Sequence, residues 1–217
     1  MLTSYYTVKQ FGEHEIVIQK SRFIAYLERV TTEAEAMDFI ARIKKQHANA
    51  THNCSAYIIG ENDEIQKAND DGEPSGTAGV PMLEVLKKRK LKDTAVVVTR
   101  YFGGIKLGAG GLIRAYGSST SEGLNHIGVV ERQLMDIFTV TVDYTWIGKV
   151  ENELRESSFD LMDIRYEEQA TFFIYVPVAQ NEEFHNWITN MTSAQAKIAA
   201  EEQTYIEVDV TDTSGRE

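Results

Sequence analysis

Cysteine, proline and tryptophan are scarce in this chain: one, three and two in 217 residues, with five histidines. The lone Cys54 excludes an internal disulfide, fits a reducing compartment and leaves redox chemistry without a second thiol. No H-E-x-x-H, H-x-H or Cys-x-x-Cys grouping occurs, so no metal site is assigned and no cofactor is expected. The G-x-S-x-G of a serine nucleophile is absent from "YGSSTSEG", and neither G-x-x-x-x-G-K-[ST] nor G-x-G-x-x-G is present. Apolar runs fall well short of the ~18 to 20 residues that span a bilayer, and "MLTSYYTVKQ" has neither region of a signal peptide. A cytosolic protein with no membrane partner is expected.

Charge is what the chain has in excess and in asymmetry. The formal net charge is -11. Residues 1–130 carry 16 Lys and Arg against 15 Asp and Glu, whereas residues 131–217 carry 6 against 18. Inside the near-neutral part, residues 87–114 hold Lys87, Lys88, Arg89, Lys90, Lys92, Arg100, Lys106 and Arg114 against Asp93 alone. Clustered cations repel unless an anion compensates them.

The hydrophobic pattern divides the chain into two α+β domains, residues 1–134 and 135–217. The first reads as strands "EIVIQK" and "RFIAYLERV", then a helix opened by Thr32 and Glu35 at capping-box spacing. There follow strand "NCSAYIIG", its hairpin partner "IQKAN", a polar loop "DDGEPSGTAG", helix "GVPMLEVLKKRK", buried strand "TAVVVTRYF" and helix "GGLIRAYGSSTSEGLNHIG". Beyond "VVERQLMD" the order is strand, helix, strand, strand, helix, strand. That is the βαββαβ arrangement of a ferredoxin-like sandwich. The tail "TDTSGRE" is expected to fray.

The stretch "RYFGGIKLGAGGLIRAYG" concentrates bare backbone and cation. Gly110 and Gly111 stand at a predicted helix start, where unpaired N–H groups favour an anion, and Arg100, Lys106 and Arg114 could point at the same anion. Gly103 and Gly104 lie in the loop before it. A plainer alternative is that the glycines allow a tight crossing of loop over sheet. Tyr101, Phe102 and Tyr116 could stack bases or serve as core. Upstream, Asp70, Asp71 and Glu73 with Ser75 and Thr77 could hold a hard cation. They could equally form a turn at Asp71–Gly72 with Ser75 or Thr77 capping the next helix, or pair with Arg100 or Arg114. His52 and Cys54 share a strand face, as a Cys–His nucleophile pair would, although a strand cysteine is ordinarily a small core residue.

Gly79, Met82–Leu83, Leu91, Val97–Val98 and then "RYFGGIKLG", with "DGEPSGTAG" upstream and "AGGLIRAY" downstream, resemble the signature of the IMPACT family (UPF0029), bacterial members included. The resemblance covers roughly residues 1–130, and the acidic βαββαβ part is similar to the small second domain of the bacterial members. It implies an N-terminal domain of the ribosomal S5 domain 2-like kind and a C-terminal domain similar to those of elongation factor G. Both kinships point to translation. Eukaryotic relatives restrain, through its activator, a kinase that senses uncharged tRNA; bacteria lack that kinase, so this partner does not transfer. The expected function is a regulatory protein that binds RNA or a ribosome-associated surface by phosphate neutralisation. The alternatives are a metal-dependent hydrolase built on "NDDGEPSGT" and a protein-binding regulator without nucleic acid.

Overall fold

A computed structural model describes residues 1–210, so the expectation for "TDTSGRE" lies outside the described residues. The chain forms two compact units. The first comprises Met1, Tyr5–Glu131 and, of the described residues, Val208–Val210, and the second Leu2–Ser4 with Arg132–Glu207.

In the first unit, β2 (Gly12–Ile18), β3 (Ser21–Arg29), β6 (Thr94–Tyr101), β4 (His52–Ile59) and β5 (Ile65–Asn69) form one antiparallel sheet in that order. Helix α1 (Glu33–Gln46) covers one face, with Phe39 and Ile43 packed among Ile24, Tyr26, Tyr57 and Val97. Helices α2 (Gly79–Lys88) and α3 (Gly108–Ile127) cover the other, with Met82, Leu86, Leu112, Tyr116 and Leu124 packed among Phe23, Leu27, Val96 and Val98. Because β6 is central and covered on both faces, Thr94 to Arg100 are all buried, which explains a continuous apolar run in place of alternation. The start of α1 is capped by the expected pair: Glu35 N–H donates to Thr32 Oγ1 (3.2 Å), and Glu35 Oε2 reaches back to accept from the N–H of Thr31 (2.6 Å), one residue before the N-cap.

In the second unit, β7 (Val129–Val142), α4 (Ile147–Glu156), β8 (Asp160–Tyr166), β9 (Ala170–Pro177), α5 (Asn181–Met191) and β10 (Lys197–Asp209) follow the expected βαββαβ order. β10 pairs β7, β7 pairs β9 and β9 pairs β8, the ferredoxin-like arrangement, and β1 (Ser4–Val8) joins the same sheet on β7 as a fifth strand. Alternation along β9 places Phe172, Ile174 and Val176 in a core with Val150 and Leu154 of α4 and Phe184 and Ile188 of α5. The protein is therefore α+β with two domains. Strand β1 (Ser4–Val8), short and rich in tyrosine, was not anticipated, and β7 begins several residues earlier than the change of pattern indicates.

Candidate anion-binding surface at the glycine loop

The backbone decides which cations are available. In the sheet, Arg100 of β6 lies opposite Phe23 of β3 and His52 of β4. It therefore points to the same face as Val96 and Val98, into the core beneath α3. Arg100 is 5% exposed, and its Nη1 donates to Glu73 Oε1 (2.6 Å). The Tyr116 hydroxyl donates to the same oxygen (2.8 Å), and His52 Nε2 stands 3.8 Å from Glu73 Oε2. His52 Nδ1 carries a proton, because its partner at 2.8 Å is the Asp71 carbonyl, which can only accept. Arg100 Nη2 faces Ser21 Oγ at 3.5 Å, and among the described residues Arg100 Nε has no hydrogen-bond partner.

The acidic loop is thus internal machinery. Glu73 neutralises Arg100. Asp71 accepts from Lys44 Nζ (2.6 Å) and from the Asn53 backbone N–H (2.7 Å). Asp70 receives the backbone N–H groups of Gly76 (2.8 Å), Ala78 (3.0 Å) and Gly79 (2.8 Å), so its carboxylate caps α2 from eight residues upstream. Burial raises the Asp70 pKa, but the N–H groups of Gly76, Gly79 and Ala78 outweigh it and hold the carboxyl below its ordinary value. The expected caps do not act: Ser75 is exposed, and the Thr77 hydroxyl donates to Pro74 O. The turn at Asp71–Gly72 forms, with φ of 46° and 88°. Among the described residues no three His, Cys, Asp or Glu side chains stand together as metal ligands, and the loop's own N–H groups and cations occupy its carboxylates. Cys54 is fully buried, donates to Asp70 O and has its pKa pushed up to about 12, chiefly by burial, which suits a core thiol and not a nucleophile.

The remaining cations fall into two groups. Lys92, two residues before β6, and Tyr101 at its end are separated by roughly the length of that eight-residue strand, about 25 Å. Arg89 reaches Ser121 Oγ (2.7 Å), thirteen residues along α3 from Gly108, or about 20 Å. The 87–92 cluster is therefore not part of the glycine site. Within it Lys87 pairs with Glu84 (2.9 Å) and Lys92 with Asp63 (2.7 Å), while Lys88 and Lys90 are exposed.

At the glycine loop itself, Lys106 and Arg114 are exposed and, among the described residues, have no ion-pair partner. The structure adds a cation that sequence reasoning did not single out. The β2–β3 hairpin turns at Gln19 and Lys20, both at positive φ (45° and 65°), and presses its backbone on the loop: a Cβ at Gly103 would lie 2.0 Å from the Lys20 carbonyl carbon. Gly103 is thus a close-crossing residue, while Gly111 has only Leu107 Cβ at 3.0 Å. Gly104, Gly108 and Gly110 face open space. The N-cap of α3, Leu107, supplies no side-chain hydrogen bond, so among the described residues the start of the helix has no side-chain cap.

A five-stranded antiparallel sheet between α1 and an α2–α3 layer, followed by a ferredoxin-like sandwich and carrying a buried Arg–Glu pair under a glycine loop, defines a two-domain α+β class. Residues 19–124 match the Impact N-terminal domain, and residues 140–195 a domain of unknown function (DUF1949). The chain is 69% identical over 207 residues to the IMPACT family member YvyE of Bacillus subtilis, covering 95% of each. It is 30% identical over 188 residues to YigZ of Escherichia coli, covering 86% of this chain and 92% of that protein. A crystal structure of a hypothetical protein, 27% identical, superposes with a TM-score of 0.59 over 93% of this chain and 99% of the other. The chain belongs to the IMPACT family.

Proposed function

We propose that this protein is a cytosolic, translation-linked binding protein that holds the phosphate backbone of RNA, free or at a ribosomal surface, on the glycine loop and the first turn of α3. The observation that carries this reading is the set of exposed cations Lys20, Lys106 and Arg114, unpaired among the described residues, beside an uncapped helix N-terminus and glycines that face open space. A surface of that kind is repulsive to itself until an anion arrives. Arg100, balanced by Glu73, contributes to the scaffold and not to the ligand. In line with the charge asymmetry, the acidic second unit disfavours indiscriminate attachment to nucleic acid.

Titration of the full chain with homopolymeric RNA across a salt series tests the reading. Three phosphate contacts give a slope of log affinity against log salt of about -2 for a single strand. No binding, or affinity that salt does not change, contradicts it.

A further inference from the structure

Three aromatic side chains accompany the cations, and the fold leaves only one of them available. Tyr116 is fully buried and hydrogen-bonded to Glu73. Tyr101 is half-buried, with its hydroxyl 2.8 Å from His47 Nδ1 and the Arg22 guanidinium over its ring. Phe102 is 46% exposed. Its position is nevertheless fixed. The Phe102 N–H donates to Thr51 Oγ1 (3.0 Å), the Gly103 N–H donates to Ser21 Oγ (3.1 Å), and Gly103 is wedged against Lys20. The buried Arg100 guanidinium carbon stands 5.5 Å from the ring centroid and anchors it by a cation–π contact. On the C-terminal side Gly104, at φ 85°, has no atom within 4 Å of where a Cβ would stand, so the loop is uncrowded at that position.

We propose that Phe102 is a stacking platform for an unpaired base, and that the occupant of this surface is a single-stranded segment of RNA whose flanking phosphates meet Lys20, Lys106 and Arg114. The proposal rests on the phosphate-binding reading above and narrows it to one strand state. Charge complementarity selects the polyanion. The ring selects among polyanions, because a base already stacked inside an A-form duplex cannot also stack on a side chain, whereas a base in a single strand can. A ring on a backbone held by two hydrogen bonds and a close crossing, itself in contact with the buried Arg100 guanidinium, loses less freedom when a base settles on it than one on a free loop, so more of the stacking energy remains as affinity. Stacking releases no counterions, so its contribution is the same at every salt concentration, unlike that of the cations.

The test is fluorescence anisotropy with the full chain, a labelled ten-nucleotide oligoadenylate, and the same strand annealed to oligouridylate, each over a salt series. The single strand should bind at least about tenfold more tightly than the duplex. Phe102→Ala should weaken single-strand binding roughly five- to hundredfold at every salt concentration and leave the salt slope unchanged. Phe102→Trp, which keeps a ring, should restore the affinity. Equal affinity for the two forms, or a Phe102→Ala protein that binds as the wild type does, overturns the stacking proposal while the phosphate reading stands. Loss of affinity on replacing the exposed Ile105 and Ile113 with serine, with no effect of Phe102→Ala, also overturns it and assigns the apolar contact with RNA to those two side chains. Absence of salt-dependent binding to either form overturns the phosphate reading itself.

Discussion

Replacing Arg100 with methionine removes the positive member of an ion pair whose side chains are 6% and 3% exposed. Removing one partner of a buried pair leaves the other charge uncompensated and costs about 3 to 5 kcal/mol. Glu73 would keep one donor, the Tyr116 hydroxyl, and would face His52 at 3.8 Å, so the loss belongs in that range and not beyond it. At roughly 3 °C per kcal/mol for a unit of this size, the first unit should melt about 10 to 15 °C lower. Both tryptophans, Trp146 and Trp187, lie in the second unit, so tryptophan fluorescence would miss the event. Hydrogen exchange along β6, or far-UV circular dichroism in urea, reads it. Replacing both charges, as Arg100→Met with Glu73→Leu, should recover much of the loss and leave about 1 to 3 kcal/mol for the orphaned Tyr116 hydroxyl; adding Tyr116→Phe should recover that too. The salt slope of RNA binding should stay at the wild-type value in every folded member of the series. An Arg100→Met protein within about 1 kcal/mol of wild type, with a slope reduced by about 0.7, would refute the reasoning and return Arg100 to the ligand site.

Asp70→Ala should destabilise the first unit by roughly 2 kcal/mol, since three backbone N–H groups at the start of α2 lose their acceptor; urea denaturation measures it. The Asp70 pKa is lower folded than unfolded, so its stabilisation is complete above the unfolded value, about 3.9, and is lost as the pH falls through the folded one. Asp70→Asn should therefore flatten the acid limb of the stability profile below about pH 4, and an unchanged limb would remove Asp70 as its source. Gly117→Ala, in the interior of α3 with open space at the Cβ position, should raise stability by about 0.5 to 1 kcal/mol, whereas Gly103→Ala, which meets the Lys20 backbone at 2.0 Å, should lower it. Thermal melts of the two variants compare them directly, and a stable Gly103→Ala would mean that the loop does not cross the hairpin there.

Much of the fold was legible because periodicity is local. The βαββαβ order of the second unit follows from strands such as "ATFFIYVPV", whose alternate residues are buried, and from helices of matched length. Strand β1 escaped because five residues, mostly tyrosine and hydroxyl side chains, carry no clear alternation. The site was legible in composition and obscure in direction. A signal for Arg100 was present: Val96, Val98 and Arg100 are two apart, so a strand that buries the valines beneath α3 buries the arginine with them. The cap on α2 could not be read locally, because Asp70 reaches it across eight residues of loop. Lys20 had no signal at all. Two-residue hairpin turns at positive φ normally announce themselves with glycine or asparagine, and this one uses Gln19 and Lys20.

The glycine-loop cations carry the account, and the salt dependence of single-stranded RNA binding measures them most directly. In the triple variant Lys20→Gln, Lys106→Gln, Arg114→Gln the slope of log affinity against log salt should flatten by about 2, at about 0.7 for each lost phosphate contact. Its melting temperature should stay near that of wild type, since all three side chains are exposed. The control variant Lys87→Gln, Lys92→Gln removes cations already balanced by Glu84 and Asp63 and should keep the wild-type slope. A folded triple variant whose slope equals that of wild type would contradict the account, because phosphate would then be held somewhere other than this surface, or not at all.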